Sequence, residues 1–553
     1  MQVVDNRGLK QDIEALTKGS MQLPKVLRKM GYQALRKGQD VAVSCILAGR
    51  DTICVLPTST GKTAVFVIPS LCHGWKTLVI SPLVALMRDQ VQGLWRMGID
   101  AGYVNSLQTP AENNSVLNAW MRGELQFLYV APERLGNELF EKAMDVQKPD
   151  HVVVDECHCL SQWSDSFRPS YMLAGELIAR RNPRVVSAFT ATCPGEVEGD
   201  VRRILGIPNA ELCRYYPRRS NLILSSDDYH GHNQIARLVE RMEGSVIVYC
   251  ATVTEVQKLY ASLERSMGDE VTTYHGQLRP EDKRRCQDMF MEGRARVVLA
   301  TNAFGMGIDK PDIRGVIHRD MPGSIEQLAQ EVGRAGRDGK DSKCVALKDP
   351  ASIRTQHFFL EAANPGRRAV TAVFECLKRA ADGRGVARMS NVEIGKLSGV
   401  PEMHVSSSLS VLVGCGVLKR DKTDDRVGLV RLLADPSVDK RFAKAASLIE
   451  EGGVERDGFL EIDLTWLAAM WGITEESVTR NLKQWDKEKR ISYVPPFTGK
   501  TTQIVGGLEL VDFKRLKEKE AADYAKLQKV IDYFDVPDAQ KHDYLEAYFA
   551  SMT

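Results

Sequence analysis

Thr52-Ile53-Cys54-Val55-Leu56-Pro57-Thr58-Ser59-Thr60-Gly61-Lys62-Thr63 is an apolar run with strand character that breaks into a turn ending Gly-Lys-Thr. Such a turn points successive backbone N–H groups into one concavity at the start of a helix, where partial positive charge collects and a polyphosphate fits. Thr58, Ser59, Thr60 and Gly61 supply the loop, Lys62 is placed to reach the β- and γ-phosphates, and the Thr63 hydroxyl to coordinate Mg²⁺. The usual pattern has a glycine where Leu56 stands, so this loop alone competes with an ordinary Gly-Lys-Thr turn. The second half of the site separates the two. His151-Val152-Val153-Val154-Asp155-Glu156 is a buried-strand run ending in two carboxylates. Asp155 can join Thr63 in the Mg²⁺ shell, partly through water, and Glu156 can orient and deprotonate an attacking water.

Composition fits this reading without demanding it. A chain of 553 residues is too long for one core and is expected to form several domains. Hydrophobic content of 43% and charged content of 26% are those of a globular protein, no apolar run reaches membrane-span length, and the first residues lack a secretory pattern. The expected location is intracellular, in the cytoplasm or nucleoid. Net charge is only +2, so any nucleic-acid-binding surface must be local. The 12 cysteines include no C-x-x-C pair, which argues against a zinc ribbon or a disulfide framework. Cys157 and Cys159 flank His158, but their place beside the acidic pair disfavours a metal site.

Strand-like runs then alternate with helical patterns: Thr77 to Ile80, Phe127 to Val130, Val152 to Val154 and Val185 to Phe189. Alternation of this kind implies a parallel sheet with helices on both faces. A polar cluster follows each run, among them Ser81-Pro82, Asp155-Glu156 and Thr190-Ala191-Thr192. In open parallel sheets ligands bind beyond the carboxyl ends of the strands, so these clusters converge on one edge. After Pro208 the alternation restarts, with His275-Gly276 and Thr301 to Asp309 after strands of a second sheet. This sheet has no phosphate loop; it has Gln330-Glu331-Val332-Gly333-Arg334-Ala335-Gly336-Arg337. Arg334 and Arg337 would share a face of a helix and suit a γ-phosphate whose charge grows during hydrolysis. Gln39, upstream of the loop, carries the donor and acceptor that an adenine edge requires.

At this point the chain resembles the RecQ-type DNA helicases of superfamily 2, over roughly residues 26 to 350. Asp155-Glu156-Cys157-His158 stands where that family has Asp-Glu-Ala-His, and Cys159-Leu160-Ser161-Gln162-Trp163-Ser164-Asp165-Ser166-Phe167-Arg168-Pro169-Ser170-Tyr171 is similar to its aromatic-rich loop. Gly31, Arg36 and Gln39 match the adenine-reading segment, and Phe304 to Asp309 and Gln330 to Gly339 match the last two helicase motifs. The resemblance implies ATP- and Mg²⁺-driven 3′-to-5′ movement on single-stranded DNA with unwinding of duplex or branched DNA. Gly307 and Asp309 are then placed with the nucleotide; Ser81, Pro82, Thr190, Thr192, His275 and Thr301 are placed along the strand or in coupling. Trp163 and Phe167 suit base stacking and Arg168 a phosphate. Met30 and Leu35 replace aromatic residues usual near the adenine, and Ser59 and Thr60 replace loop glycines. Two alternatives stay open: a DNA-stimulated translocase or sensing ATPase without strong unwinding, and a non-catalytic DNA-binding scaffold subunit.

The expected architecture is therefore α/β. An N-terminal extension (1-24) precedes two RecA-like parallel-sheet motor domains (25-210 and 211-350). A mostly helical region follows, with a first winged helix in 351-450, a second in 451-511, and a helical segment over 512-553. Ser390-Asn391-Val392-Glu393 fits a capping box that starts one helix pair, and Leu464 to Trp485 repeats the pattern. Ile491 to Val494 is expected to pair with Gln503 to Val511 as the second wing. The winged helices could contact DNA or protein partners; basic candidates are Lys419, Arg420, Lys422 and Arg426 in the first, and Lys489, Arg490 and Lys500 in the second. The last helices resemble a part of the family that lies among zinc cysteines. Those cysteines are missing here, so no structural zinc is expected.

Overall fold

The structure is a computed structural model that describes residues 22–57, 61–161, 168–191, 193–216, 218–305, 310–383, 385–422, 427–435, 439–456, 458–496 and 500–551. It forms two compact units, one built from the chain up to Leu360 together with Lys519 onward, the other from Glu361 to Glu518.

The first unit contains two parallel sheets. Strands β1 (Thr52–Val55), β2 (Thr77–Ile80), β3 (Ala101–Val104), β4 (Phe127–Val130), β5 (His151–Val154), β6 (Val185–Thr190) and β7 (Glu211–Arg214) form a seven-stranded sheet in the order β3-β4-β2-β5-β6-β1-β7. Alternate residues serve opposite faces because side chains alternate along a strand. Leu78, Ile80, Leu128, Val130, Val152 and Val154 enter one core, while Val79, Phe127, Tyr129 and Val153 enter the other. β8 (Leu222–Asp228), β9 (Ser245–Tyr249), β10 (Val271–Tyr274), β11 (Val297–Ala300), β12 (Ile313–His318) and β13 (Ser342–Lys348) form the second sheet, ordered β10-β11-β9-β12-β13-β8. Sequence periodicity finds the central strands of both sheets and misses β3, β7 and β8. Each of these is an edge strand, and β8 alternates buried with exposed residues and ends in Asp227-Asp228. A strand buried on one side only lacks the continuous apolar run of a central one.

The last two helices belong to the second sheet's core. Leu527, Val530, Tyr533, Phe534 and Leu545 pack with Leu222, Tyr249, Val316 and Cys344. His542 meets the Leu222 carbonyl at 2.8 Å, and Phe549 stacks on Tyr216 at 4.2 Å. The segment foreseen over 512-553 as a separate piece thus completes a motor lobe from residue 519 on.

In the second unit strand pairing divides the chain differently from a split at residue 450. β15 (Leu418–Lys422) pairs antiparallel with β20 (Lys500–Ile504), which also pairs with β14 (Val386–Ala387). Between them in sequence, β16 (Val427–Leu432), β17 (Val454–Arg456), β18 (Phe459–Asp463) and β19 (Ile491–Val494) make their own sheet, ordered β17-β18-β16-β19. One helix-and-sheet module is therefore nested in another. β19 pairs with β16, not with Gln503 to Val511 as the sequence reading had it, because β20 is taken by β15. The capping box of Ser390 and Glu393 forms as read. Two of the basic candidates are engaged internally: Arg420 donates to Thr502 Oγ1 at 3.1 Å, and Arg490 pairs with Asp439 and Glu488.

Under the first sheet, fully buried His151 lies between Ser70 Oγ at 3.0 Å and Ser187 Oγ at 2.8 Å. A neutral ring serves both, one nitrogen donating and the other accepting. Burial pushes the imidazole down to about 3. The unfolded chain, with an ordinary histidine, binds this proton first, so the contribution is full above pH 6.5 and is lost as pH falls toward 3. Between pH 7 and pH 5 the wild-type chain is expected to lose about 2 kcal/mol more unfolding free energy than a His151→Gln chain. Denaturant titrations at the two pH values check this, and parallel losses would refute it.

Candidate active site

β1 leads through Leu56 and Pro57 to Gly61, which stands at the N-terminus of the helix Lys62–His73 with φ +77°. A side chain there would be strained, and its Cβ would lie 2.7 Å from Gln39 Nε2, so glycine makes this turn at the lowest cost. Lys62 is the first helical residue and Thr63 the second. Strand β5, separated from β1 by β6, leads directly into Asp155 and Glu156, both buried. Lys62 Nζ lies 3.5 Å from Glu156 Oε1, and Asp155 accepts from Ser81 Oγ at 3.4 Å. His158 Nδ1 lies 3.3 Å from Glu156 Oε2 and 3.0 Å from Thr190 Oγ1. Lysine, both carboxylates, Ser81, Thr190 and His158 therefore meet beyond the carboxyl ends of β1, β2, β5 and β6.

Burial and the adjacent Glu156 charge raise the Asp155 carboxyl to about 6, against the pull of Lys62. Burial also pushes Glu156 up, but Lys62, His158 and Arg334 outweigh it and hold this carboxyl below the usual range. One acid of the pair is thus kept ionised by cations, the chemistry of a base held beside a cation-binding carboxylate. Glu156 adopts a left-handed backbone (φ 49°, ψ 46°), which costs a non-glycine residue roughly 1 kcal/mol.

Gln39 is brought to the loop but does not present its amide as an adenine reader. Its Oε1 accepts from Arg36 N at 2.9 Å and its Nε2 donates to Gly61 O at 3.2 Å, with the side chain buried. In this structure the amide ties the upstream segment to the phosphate loop. Arg36 itself is exposed.

The arginines differ from expectation. The helix Ile325–Val332 ends at Gly333, and Arg334 and Arg337 lie on the turns after it, so they share no helical face. Gly336, at φ +56°, makes the turn. Arg334 is buried, donates to the Gly305 carbonyl, and lowers the Glu156 carboxyl, so a charge of the second lobe acts on a carboxylate of the first. Arg337 is half-buried beside Arg219. Arg219 donates to the carbonyls of Gly333 at 3.1 Å and Gly336, and Asn221 Nδ2 donates to Gly336 O at 2.8 Å. These two hold the arginine turn from more than a hundred residues upstream, and no local signal announces them.

Arg168 donates to Pro82 O at 3.4 Å and lies 3.8 Å from Glu133. His275 and Thr301, both buried, follow β10 and β11, and Thr301 N donates to Tyr274 O at 3.1 Å. Burial, aided by the Lys283 charge, lowers the His275 imidazole. Thr58, Ser59, Thr60, Trp163, Phe167, Thr192, Gly307 and Asp309 lie outside the described residues.

The residues present fit a magnesium nucleotide. Gly61 turns with positive φ at the helix start, a lysine faces two buried carboxylates, and the charge of an arginine acts on one of them. Among the described residues no helix is long and apolar enough to cross a membrane.

Comparison with known proteins agrees with this geometry. Residues 36–200 match the DEAD/DEAH box helicase family and residues 232–339 the Helicase conserved C-terminal domain. An ATP-dependent DNA helicase RecQ of Haemophilus influenzae is 37% identical over 345 residues, 62% of this chain and 55% of that protein. The chain thus spans little more than half the length of this relative. The probable ATP-dependent DNA helicase RecS of Bacillus subtilis is 34% identical over 354 residues, 63% of this chain and 71% of that protein. Among solved structures, the Mycobacterium smegmatis helicase Lhr bound to ssDNA and AMP-PNP has a TM-score of 0.51 at 18% identity, over 80% of this chain and 63% of that one; at that identity the likeness is one of fold. With both domains matched in order and a relative covered over most of its length, the chain belongs to the RecQ-type helicases of superfamily 2.

Proposed function

We propose that this protein is an ATP-dependent DNA helicase that moves 3′-to-5′ on single-stranded DNA and unwinds duplex and branched DNA. The observation that carries the reading is that Lys62 faces Asp155 and Glu156 on one parallel-sheet lobe while the charge of Arg334, on the other, acts on Glu156. Lys62 would hold the phosphates, and Thr63 with Asp155 the Mg²⁺. Bound Mg²⁺ would neutralise phosphate charge. Glu156, ionised by its cationic neighbours, takes the proton of an attacking water, and Arg334 offers a planar fork to charge that grows on departing phosphate oxygens. Because base and arginine sit on different lobes, turnover is tied to lobe movement. Ser81, Pro82, Arg168, His275 and Thr301 line the strand-facing edge in this reading, with Trp163 and Phe167 as stacking residues. The helix-and-sheet modules of the second unit are read as winged helices that contact DNA or protein partners. ATP and Mg²⁺ are the cofactors, without a structural zinc, and the setting is the cytoplasm or nucleoid.

ATP turnover is expected to rise at least about tenfold with single-stranded DNA, and less with duplex DNA or RNA. A duplex with a 3′ tail should be opened and one with a 5′ tail left closed. Stimulated turnover without strand displacement would favour a translocase, and turnover indifferent to DNA would overturn the reading.

A further inference from the structure

The left-handed backbone of Glu156 needs a restraint, and the structure contains one. The peptide joining Asp155 to Glu156 is held at both ends. Its N–H donates to Asp155 Oδ1 at 3.0 Å, and its carbonyl accepts from the Tyr171 hydroxyl at 2.8 Å. Tyr171 is fully buried, on the short turn Pro169–Tyr171 that leads into the helix Met172–Arg181, and packs in the first sheet's core. Burial pushes its phenol well above the ordinary range, so it stays a donor at any working pH. Arg168, three residues earlier, is bound through its N–H to Cys159 O at 3.0 Å and through its guanidinium to Pro82 O.

We propose that Tyr171 is a positioning residue for hydrolysis: its hydroxyl clamps the Asp155–Glu156 peptide in the orientation that aims the Glu156 carboxylate. The orientation of a peptide plane sets φ of the residue after it, so a donor fixed on the carbonyl fixes the direction of the next side chain. A carboxylate acting as base must sit within hydrogen-bond reach of its proton, and small misplacement is costly. Tyr171 touches no reacting atom in this scheme. The inference rests on the reading of Glu156 as the base.

The molecule supplies its own control. Tyr129 on β4 is equally buried, and its hydroxyl has no hydrogen-bond partner among the described residues. Tyr171→Phe and Tyr129→Phe each remove one buried hydroxyl and keep the ring, but only the first releases the peptide. In the full chain with single-stranded DNA, Y171F is expected to lower kcat about tenfold with KM for ATP matching that of Y129F, and its thermal midpoint to fall below that of Y129F because the Asp155 carbonyl loses a buried donor. Equal kcat in the two variants would overturn the clamp. So would a Y171F defect that appears as raised KM with kcat unchanged, the mark of a packing role. If the wild-type chain turned over no ATP, the reading of the base would fall on its own. The clamp would then be judged from a crystal structure of Y171F, where Glu156 still near φ +49° would refute it.

Discussion

Glu156→Gln is expected to leave ATP binding within a few-fold of wild type and to reduce turnover by about 10³, the scale of a lost general base together with its charge. The substitution keeps size and hydrogen-bonding capacity but removes the proton acceptor. It also removes the anion that Lys62 faces at 3.5 Å, which frees the lysine for phosphate, so affinity should hold or rise. With one carboxylate gone, the repulsion that helps raise the Asp155 carboxyl is relieved, and Asp155 remains ionised at neutral pH. Nucleotide binding followed by fluorescence, beside phosphate release with single-stranded DNA, separates the two quantities. Turnover at the wild-type rate would remove Glu156 from its role, and loss of binding would mean that it supports the loop.

Arg334→Ala is expected to cost about 10³ in kcat, the lower end of what an arginine aimed at a transferring phosphoryl group supplies. The residue is 4% exposed and donates to the Gly305 carbonyl, so the alanine also leaves that carbonyl short of a donor. The lysine variant distinguishes the contributions. It restores charge near Glu156 without the planar fork, and should recover only part of the rate while the thermal midpoint returns toward wild type. DNA affinity measured without nucleotide should not change in either variant. A fully active Arg334→Lys chain would show that charge alone suffices, and a fully active alanine variant would leave Arg337 as the arginine that matters.

The comparison of the two arginines shows how far sequence reasoning carries. Their spacing suggests one helical face, yet Gly333 ends the helix and Gly336 turns the chain, so one side chain goes inward and the other stays half-buried. Gln39 is a similar case. Its placement upstream of the loop is legible, but its amide is consumed by Arg36 N and Gly61 O, a choice made by tertiary proximity.

Sequence by itself determined the two parallel sheets, through buried strands that must be apolar on both faces. It also placed Gly61-Lys62-Thr63 at the start of a helix and Asp155-Glu156 at the end of a buried strand, because the backbone turn and the paired carboxylates need particular residues at particular spacing. These are local demands, written in local residues. The tertiary structure alone decided which distant groups complete the site: the Arg334 charge acting on Glu156, Arg219 and Asn221 under the arginine turn, and Tyr171 on the Asp155 carbonyl. It likewise decided that β20 returns to β15 around a nested module and that the C-terminal helices close the second lobe's core. Each of these joins residues far apart in the chain, and a contact of that kind depends on how whole elements pack; no periodicity or spacing within a single segment encodes it.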